Sequence, residues 1–268
     1  MTTDRFRHDD IAEFLLLAAG EGWISDRWEL DLLRNSFPQG CLVKRIKTVP
    51  VAFITTLRYR RSGWIGNLLV RPEQRRQGIG AELMKKAVEA LKDAGVETIW
   101  LTASPLGKPL YEKLGFKEID RIDRWIGENF TVTPPPGRQE ISDDMVTLDA
   151  TGWGDRRELL LTSLGVEGNA IKGEDAFMIT RTVSGAQQIG PLAGTAPAAV
   201  TLLERYLAPA VGGERICLDI PRGNRVMGSY LERKGLTCSG ATVLMYQGEM
   251  PAYKPEFIGA CGSMGSMG

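Results

Sequence analysis

Apolar residues recur along this chain in two alternating rhythms. From Asp9 to Glu21, Ile11, Phe14, Leu15 and Ala18 fall at helical spacing, and Trp28 to Leu33 repeats that character. Cys41 to Lys44, Val51 to Tyr59 and Trp64 to Val70 read instead as strands, separated by polar turns. Ile79 to Ala94 is an amphipathic helix whose stripe is Ile79, Leu83, Met84, Ala87, Val88 and Leu91, with Gly95 where a C-terminal cap belongs. Thr98 to Thr102 is a strand, Pro109 to Leu114 a short helix, and Lys117 to Trp125 more strand. Interleaved elements of this kind predict an α/β (α+β) domain, a sheet covered by helices.

The second half repeats the signals. Arg156 to Leu164, Ala198 to Leu207 and Arg225 to Lys234 read as helices; Ala176 to Thr182, Gln188 to Leu192, Arg215 to Ile220 and Val243 to Tyr246 read as strands. Two local similarities occur in the same order. Ile65-Gly66-Asn67-Leu68 resembles Ile189-Gly190-Pro191-Leu192, and Ser104 to Phe116 resembles Asn224 to Leu236. They predict a duplicated fold. The proline run Pro134-Pro135-Pro136 with Gly137 marks the joint. The expected organisation is 1–133, a linker 134–141, and 142–268.

Composition narrows the chemistry. The 268 residues include 33 Lys plus Arg and 33 Asp plus Glu, so the net charge is zero and gives no footprint for nucleic acid. No apolar run approaches the roughly 20 residues of a membrane span, and no secretory leader is evident, so a cytoplasmic protein is expected. The four cysteines are scattered, as reduced thiols are. The single histidine, His8, stands near a terminus expected to be mobile, which argues against histidine-based nucleophile systems and metal sites.

One stretch carries chemistry. The apolar strand ending at Val70 stops at Arg71-Pro72, a short basic loop follows, and Gly78 and Gly80 open the amphipathic helix. The first N–H groups of a helix lack internal partners and sit at the positive end of its dipole. Glycines admit a bulky anion close to the backbone, and Arg75 and Arg76 add charged donors. A phosphate or pyrophosphate site is therefore predicted at residues 75–81. The Gly-x-x-x-x-Gly-Lys-Ser/Thr loop is absent, and the dinucleotide pattern fails because position 83 is Leu.

The spacing Arg75-x-x-Gly78-x-Gly80, set between that strand and helix, resembles the acetyl-coenzyme A loop of the GNAT superfamily of N-acetyltransferases. Leu110-Tyr111-Glu112-Lys113-Leu114-Gly115-Phe116 resembles that superfamily's second signature. Over its whole length the chain is similar to tandem-domain members, with a catalytic first domain and a degenerate second one, each a mixed, mostly antiparallel sheet flanked by helices. The resemblance implies acetyl transfer from acetyl-CoA, without a metal, to a primary amine. Leu68, Leu69 and Val70 would line the pantetheine arm. Arg75, Arg76, Gln77, Gly78, Ile79, Gly80 and Ala81 would hold the pyrophosphate. Ser104 stands nearest to the asparagine that the family often has before its tyrosine helix. Tyr111 matches the tyrosine that meets the departing thiolate, and stabilising that thiolate by a hydrogen bond is the role that suits a phenol best.

A neutral amine must attack, so a general base is needed. The strand Trp64 to Val70 carries no carboxylate; Asn67 is a candidate to orient water or acceptor, and the base stays unassigned. Trp23, Trp28, Trp64 and Trp125 are candidates for an acceptor cleft. In the second half no Arg-x-x-Gly-x-Gly follows Leu192, and Leu231 stands where Tyr111 does, so that half is expected to wall off the acceptor site. A non-catalytic coenzyme A sensor remains the alternative, and the chain is expected as a monomer or homodimer.

Overall fold

The structure is a computed structural model that describes residues 1–133 and 139–268, so most of the expected linker 134–141 lies outside the described residues. The first half runs β1 (Thr2–Arg5), α1 (Ile11–Gly20), α2 (Arg27–Ser36), β2 (Leu42–Ile46), β3 (Val49–Arg58), β4 (Ser62–Val70), α3 (Ile79–Asp93), β5 (Thr98–Ala103), α4 (Lys108–Lys113) and β6 (Lys117–Val132). The second runs α5 (Asp143–Trp153), α6 (Glu158–Glu167), β7 (Asn169–Lys172), β8 (Ala176–Val183), β9 (Ala186–Gly194), α7 (Ala196–Tyr206), β10 (Leu207–Pro209), β11 (Glu214–Pro221), α8 (Arg225–Arg233), β12 (Thr237–Gly248) and β13 (Ile258–Ala260).

The repeat is real, and each half completes the other. The sheet order is β1-β2-β3-β4-β5-β12-β6-β11-β9-β8-β7. β12, from the second half, pairs antiparallel with β5 of the first, Val243 opposite Ala103 through Gly248 opposite Thr98. β6, from the first half, pairs with β11 of the second. This exchange explains why β6 outruns the strand expected for Lys117 to Trp125: its far end serves the other half. Two charge pairs bind the same seam, Arg124 to the fully buried Asp219 at 2.7 Å and Arg222 to Asp123 at 2.6 Å.

Elements that alternate too briefly to announce themselves were missed. β1 is four residues and pairs with β2, Thr2 opposite Arg45, so the start of the chain is ordered and not mobile as the sequence suggested. α5 was missed because Asp149 sits on its buried face, a polar residue in the apolar stripe. Asp149 is satisfied there by Arg157 at 2.6 Å, both side chains being 1% exposed. Arg157 also lies over the Trp153 ring, 4.6 Å from its centroid.

β4 separates two cores. Ile65 joins Leu83, Met84, Leu101, Ala103 and Tyr111 on the α3 side. Trp64 joins Phe53, Leu57, Trp100 and Trp153 on the opposite side. Strict alternation would carry Ile65, Asn67 and Leu69 to one face. Instead Asn67 takes φ 55, and the β3–β4 register shifts between Phe53 and Thr55. The resulting bulge puts Leu68 and Val70 with Ile65 and sends Leu69 to the Trp64 side.

Candidate active site

The site begins where two parallel strands part. β4 and β5 pair only at Ser62–Thr98, Gly63–Ile99 and Trp64–Trp100. Beyond Trp64 the two strands no longer pair, β4 carrying its bulge while β5 stays bound to β12, so main-chain groups on the facing edges are left without a strand partner and a cleft begins.

On the α3 side the cleft meets two helix starts. Gly78 is the N-cap of α3 with φ 81, a conformation that suits glycine. The first helical bond there runs from the Glu82 N–H to the Gly78 carbonyl, so the N–H groups of residues 78 to 81 have no acceptor inside the helix. A Cβ on Gly80 would lie 3.7 Å from Leu68, Val70 and Leu110, so the end of β4, α3 and α4 converge at that point. The loop residues Arg76, Gln77 and Gly78 are exposed. Arg75 is tied back: its Nε donates to the Val70 carbonyl at 3.0 Å, and its guanidinium pairs with Glu21. Ser104 is exposed, and its hydroxyl accepts from the Gly107 N–H at 3.2 Å, closing the turn into α4. Tyr111 is 8% exposed and packs edge-on to Phe116. Burial pushes its phenol up to about 12.

The opposite side of the cleft holds a group the sequence did not single out. Glu29, in the first turn of α2, is 3% exposed. The Asn67 amide points at it, Nδ2 to Oε1 3.5 Å, and donates also to the Thr55 hydroxyl at 3.1 Å. Burial pushes Glu29 up to about 7, opposed chiefly by Ser266, with Asp26 adding to the rise and Arg181 and Asn67 lowering it. Arg181 comes from β8 of the second half, 3.5 Å from Asp26 and stacked over Trp28. The only trace of Glu29 in the sequence is its place one helical turn before the buried Leu33, a carboxylate on the apolar face.

Residues 261–268 cover this side. Thr102 Oγ1 donates to the Met264 carbonyl at 2.8 Å, Trp64 Nε1 to the Gly265 carbonyl at 3.1 Å, and the Tyr59 hydroxyl to the Met267 carbonyl. The segment lies so close to β4 that a Cβ on Gly66 would stand 2.7 Å from the Gly265 carbonyl oxygen. Met267 is completely buried. Of the tryptophans considered for a cleft, Trp64 is thus a core residue with its indole N–H directed at this segment.

The second half has the same parting of strands, between β9 and β11, which pair only from Arg215–Ala186 to Cys217–Gln188. Its cleft is filled by its own chain. β13 pairs with β9, and the Cys261 N–H bonds the Asp219 carbonyl of β11 at 2.7 Å.

Comparison with known proteins agrees with the geometry. Residues 8–116 match the acetyltransferase (GNAT) family, and residues 145–257 match a second acetyltransferase (GNAT) domain. The [ribosomal protein bS18]-alanine N-acetyltransferase of Haemophilus influenzae is 36% identical over 75 residues, 27% of this chain and 48% of that protein. The chloroplastic GCN5-related N-acetyltransferase 6 of Arabidopsis thaliana is 32% identical over 96 residues, 34% of this chain and 33% of that protein. The chain thus spans half or less of the length of these curated relatives. A crystal structure from Pyrococcus horikoshii, described as an acetyltransferase, superposes with a TM-score of 0.80 over 99% of this chain and 95% of that one, at 21% identity.

Proposed function

The chain belongs to the GNAT acetyltransferase family, and from that premise we propose that it transfers the acetyl group of acetyl-CoA to a primary amine, with Glu29 as general base and Tyr111 as partner of the leaving thiolate. The observation that carries the reading is the placement of Glu29 and Asn67 at the parting of β4 and β5, across the sheet from the α3 terminus and Tyr111.

The residues present fit the donor. The N–H groups at Gly78, Ile79, Gly80 and Ala81 suit a pyrophosphate, with Arg76 and Gln77 exposed beside them. Arg75 contributes by fixing the loop to Val70 and Glu21. The freed edge of β4 at Leu68, Leu69 and Val70 suits an extended amide-bearing arm, and Ser104 borders the entrance to α4. Bound there, acetyl-CoA supplies the activated acyl group.

The chain's own groups do the rest. Most amines arrive protonated at neutral pH, and a carboxylate near 7 is matched to taking that proton. Asn67 orients Glu29 and is itself fixed by Thr55. Tyr111, at about 12, is too weak an acid to protonate a thiolate outright, and so acts by donating a hydrogen bond to it. The second half, whose own cleft is filled, walls the acceptor side through Arg181 and residues 261–268. Glu29 supplies the carboxylate missing from β4 and favours an enzyme over a coenzyme A sensor.

Steady-state thiol release with acetyl-CoA and a panel of primary amines tests the reading. Amine-dependent release that falls about a hundredfold or more in Glu29→Gln supports it. Acetyl-CoA binding with no amine-dependent release at any pH would leave the sensor.

A further inference from the structure

Shielded arginines in this protein meet their carboxylates squarely. Arg157 gives Asp149 two hydrogen bonds, from Nε at 2.8 Å and from Nη2 at 2.6 Å. Arg124 holds Asp219 through the same two nitrogens at 2.7 and 2.8 Å, and Arg45 reaches Asp10 at 2.7 Å. Arg181, on β8 of the second half, differs. It is 4% exposed, and its ion pair with Asp26 is long, Nη1 to Oδ2 3.5 Å. Its Nε has no hydrogen-bond partner among the described residues. A guanidinium is always charged and carries five N–H donors in a planar fork. A donor left empty out of water costs free energy that a better partner would recover.

Asp26 is committed elsewhere. It is the N-cap of α2, and its Oδ1 accepts the Glu29 N–H at 2.7 Å. The Arg181 side chain is fixed from other directions. Its guanidinium lies over the Trp28 ring, 4.9 Å from the centroid. Its stem runs so close to Gly168 that a Cβ there would stand 2.9 Å from Arg181 Cγ. Asp26, Trp28 and Glu29 share the first turn of α2, so an arginine of the second half with an unused donor stands beside the turn that carries Glu29. Asp26 and Trp28 are partly exposed, so that turn reaches solvent where Arg181 lies against it. A carboxylate suits such a fork in charge and shape, and a side chain already held in place loses little freedom on binding it.

We propose that Arg181 determines acceptor specificity by receiving a carboxylate that the substrate carries a few atoms from its amine, while the amine faces Glu29. The acceptor is then a small amino acid or a similar amine with an acidic group, and the second half contributes a charge to the site as well as a wall. This rests on the reading of the α2 side of the cleft as the acceptor side.

Matched probes test this on the full chain: γ-aminobutyrate against γ-aminobutyramide, and β-alanine against β-alaninamide, with saturating acetyl-CoA and with kcat and KM measured separately. Wild type should favour each acid over its amide by about tenfold or more in kcat/KM, mainly through KM. Arg181→Gln should bring that ratio to near unity by raising KM for the acids. Arg181→Lys, which keeps a charge and loses the fork, should keep part of the preference. Butyrate, which has no amine, should compete with the acceptor in wild type while butyramide does not, and this arm needs no variant to fold. A wild type that does not favour the acids, or an Arg181→Gln loss equal for acid and amide, would overturn the proposal and leave the transferase reading intact. Acetyl-CoA binding with transfer to no primary amine would instead remove the transferase reading, and this proposal with it.

Discussion

Asn67 of β4 and Glu29 of α2, 38 positions apart in sequence, face each other with the amide nitrogen 3.5 Å from the carboxylate oxygen. The contact exists because the bulge at Asn67 turns its side chain toward α2 just where β4 leaves β5. One backbone irregularity therefore sits where the strands part and supplies the amide that faces Glu29.

Glu29→Gln should lower kcat by about two orders of magnitude or more while leaving acetyl-CoA affinity within about twofold, since Glu29 lies across the sheet from the α3 terminus. In wild type, kcat/KM should rise with pH through about 7 as Glu29 loses its proton. Isothermal titration and pH-dependent kinetics check both.

Glu29 should also shape stability. Its folded-state value of about 7 is above the ordinary 4.5, so between those values the folded protein holds a proton that the unfolded chain releases. Stability should therefore fall as pH rises through that window, by roughly 3 kcal/mol at most, and level off above it. Denaturant melts at pH 5 and pH 8 should show this slope in wild type and a smaller one in Glu29→Gln.

Tyr111→Phe should reduce kcat about tenfold or more with little change in acetyl-CoA affinity, because the ring that packs on Phe116 is kept and only the hydroxyl is lost. Equal turnover would take the phenol out of the mechanism.

Gly80→Val should weaken acetyl-CoA binding by about tenfold or more. A Cβ there would meet Leu68, Val70 and Leu110 at 3.7 Å, so a branched side chain would crowd the point where the end of β4, α3 and α4 converge beside the α3 start. Helix propensity does not oppose the change, since glycine is the poorer helix former of the two, so the melting temperature reports the crowding alone.

A chain ending at Thr133 should fail to fold as a soluble monomer. It would leave β5 without β12 along its whole length and leave the far end of β6 without β11. An unpaired apolar edge of that length pairs with other chains. Size-exclusion chromatography should show aggregate or dimer, and a well-behaved monomer would mean that the seam is dispensable.

The helix–strand rhythm, the glycine loop at 75–81 and the Leu110–Phe116 signature were legible because they are local. Periodicity reports which face of an element is apolar, and a helix start needs only consecutive residues. The fall of one motif on Tyr111 and its replacement by Leu231 likewise needed only a comparison within the chain. The sequence suggested Arg75 for the phosphate; the structure adds that its guanidinium pairs with Glu21 and its Nε donates to the Val70 carbonyl, partners that folding brings near and no local pattern announces.

What tertiary structure alone decided was the surroundings of Glu29. Glu29, Asn67, Arg181 and Ser266 come from α2, β4, β8 and the 261–268 segment, and no spacing in the sequence links them. The exchange of β6 and β12 between halves brings the second half against the first. Burial then changes Glu29 from an ordinary carboxylate into one that titrates near 7. A residue's identity is written in the sequence, but its proton affinity depends on how much water and which neighbours the fold leaves around it.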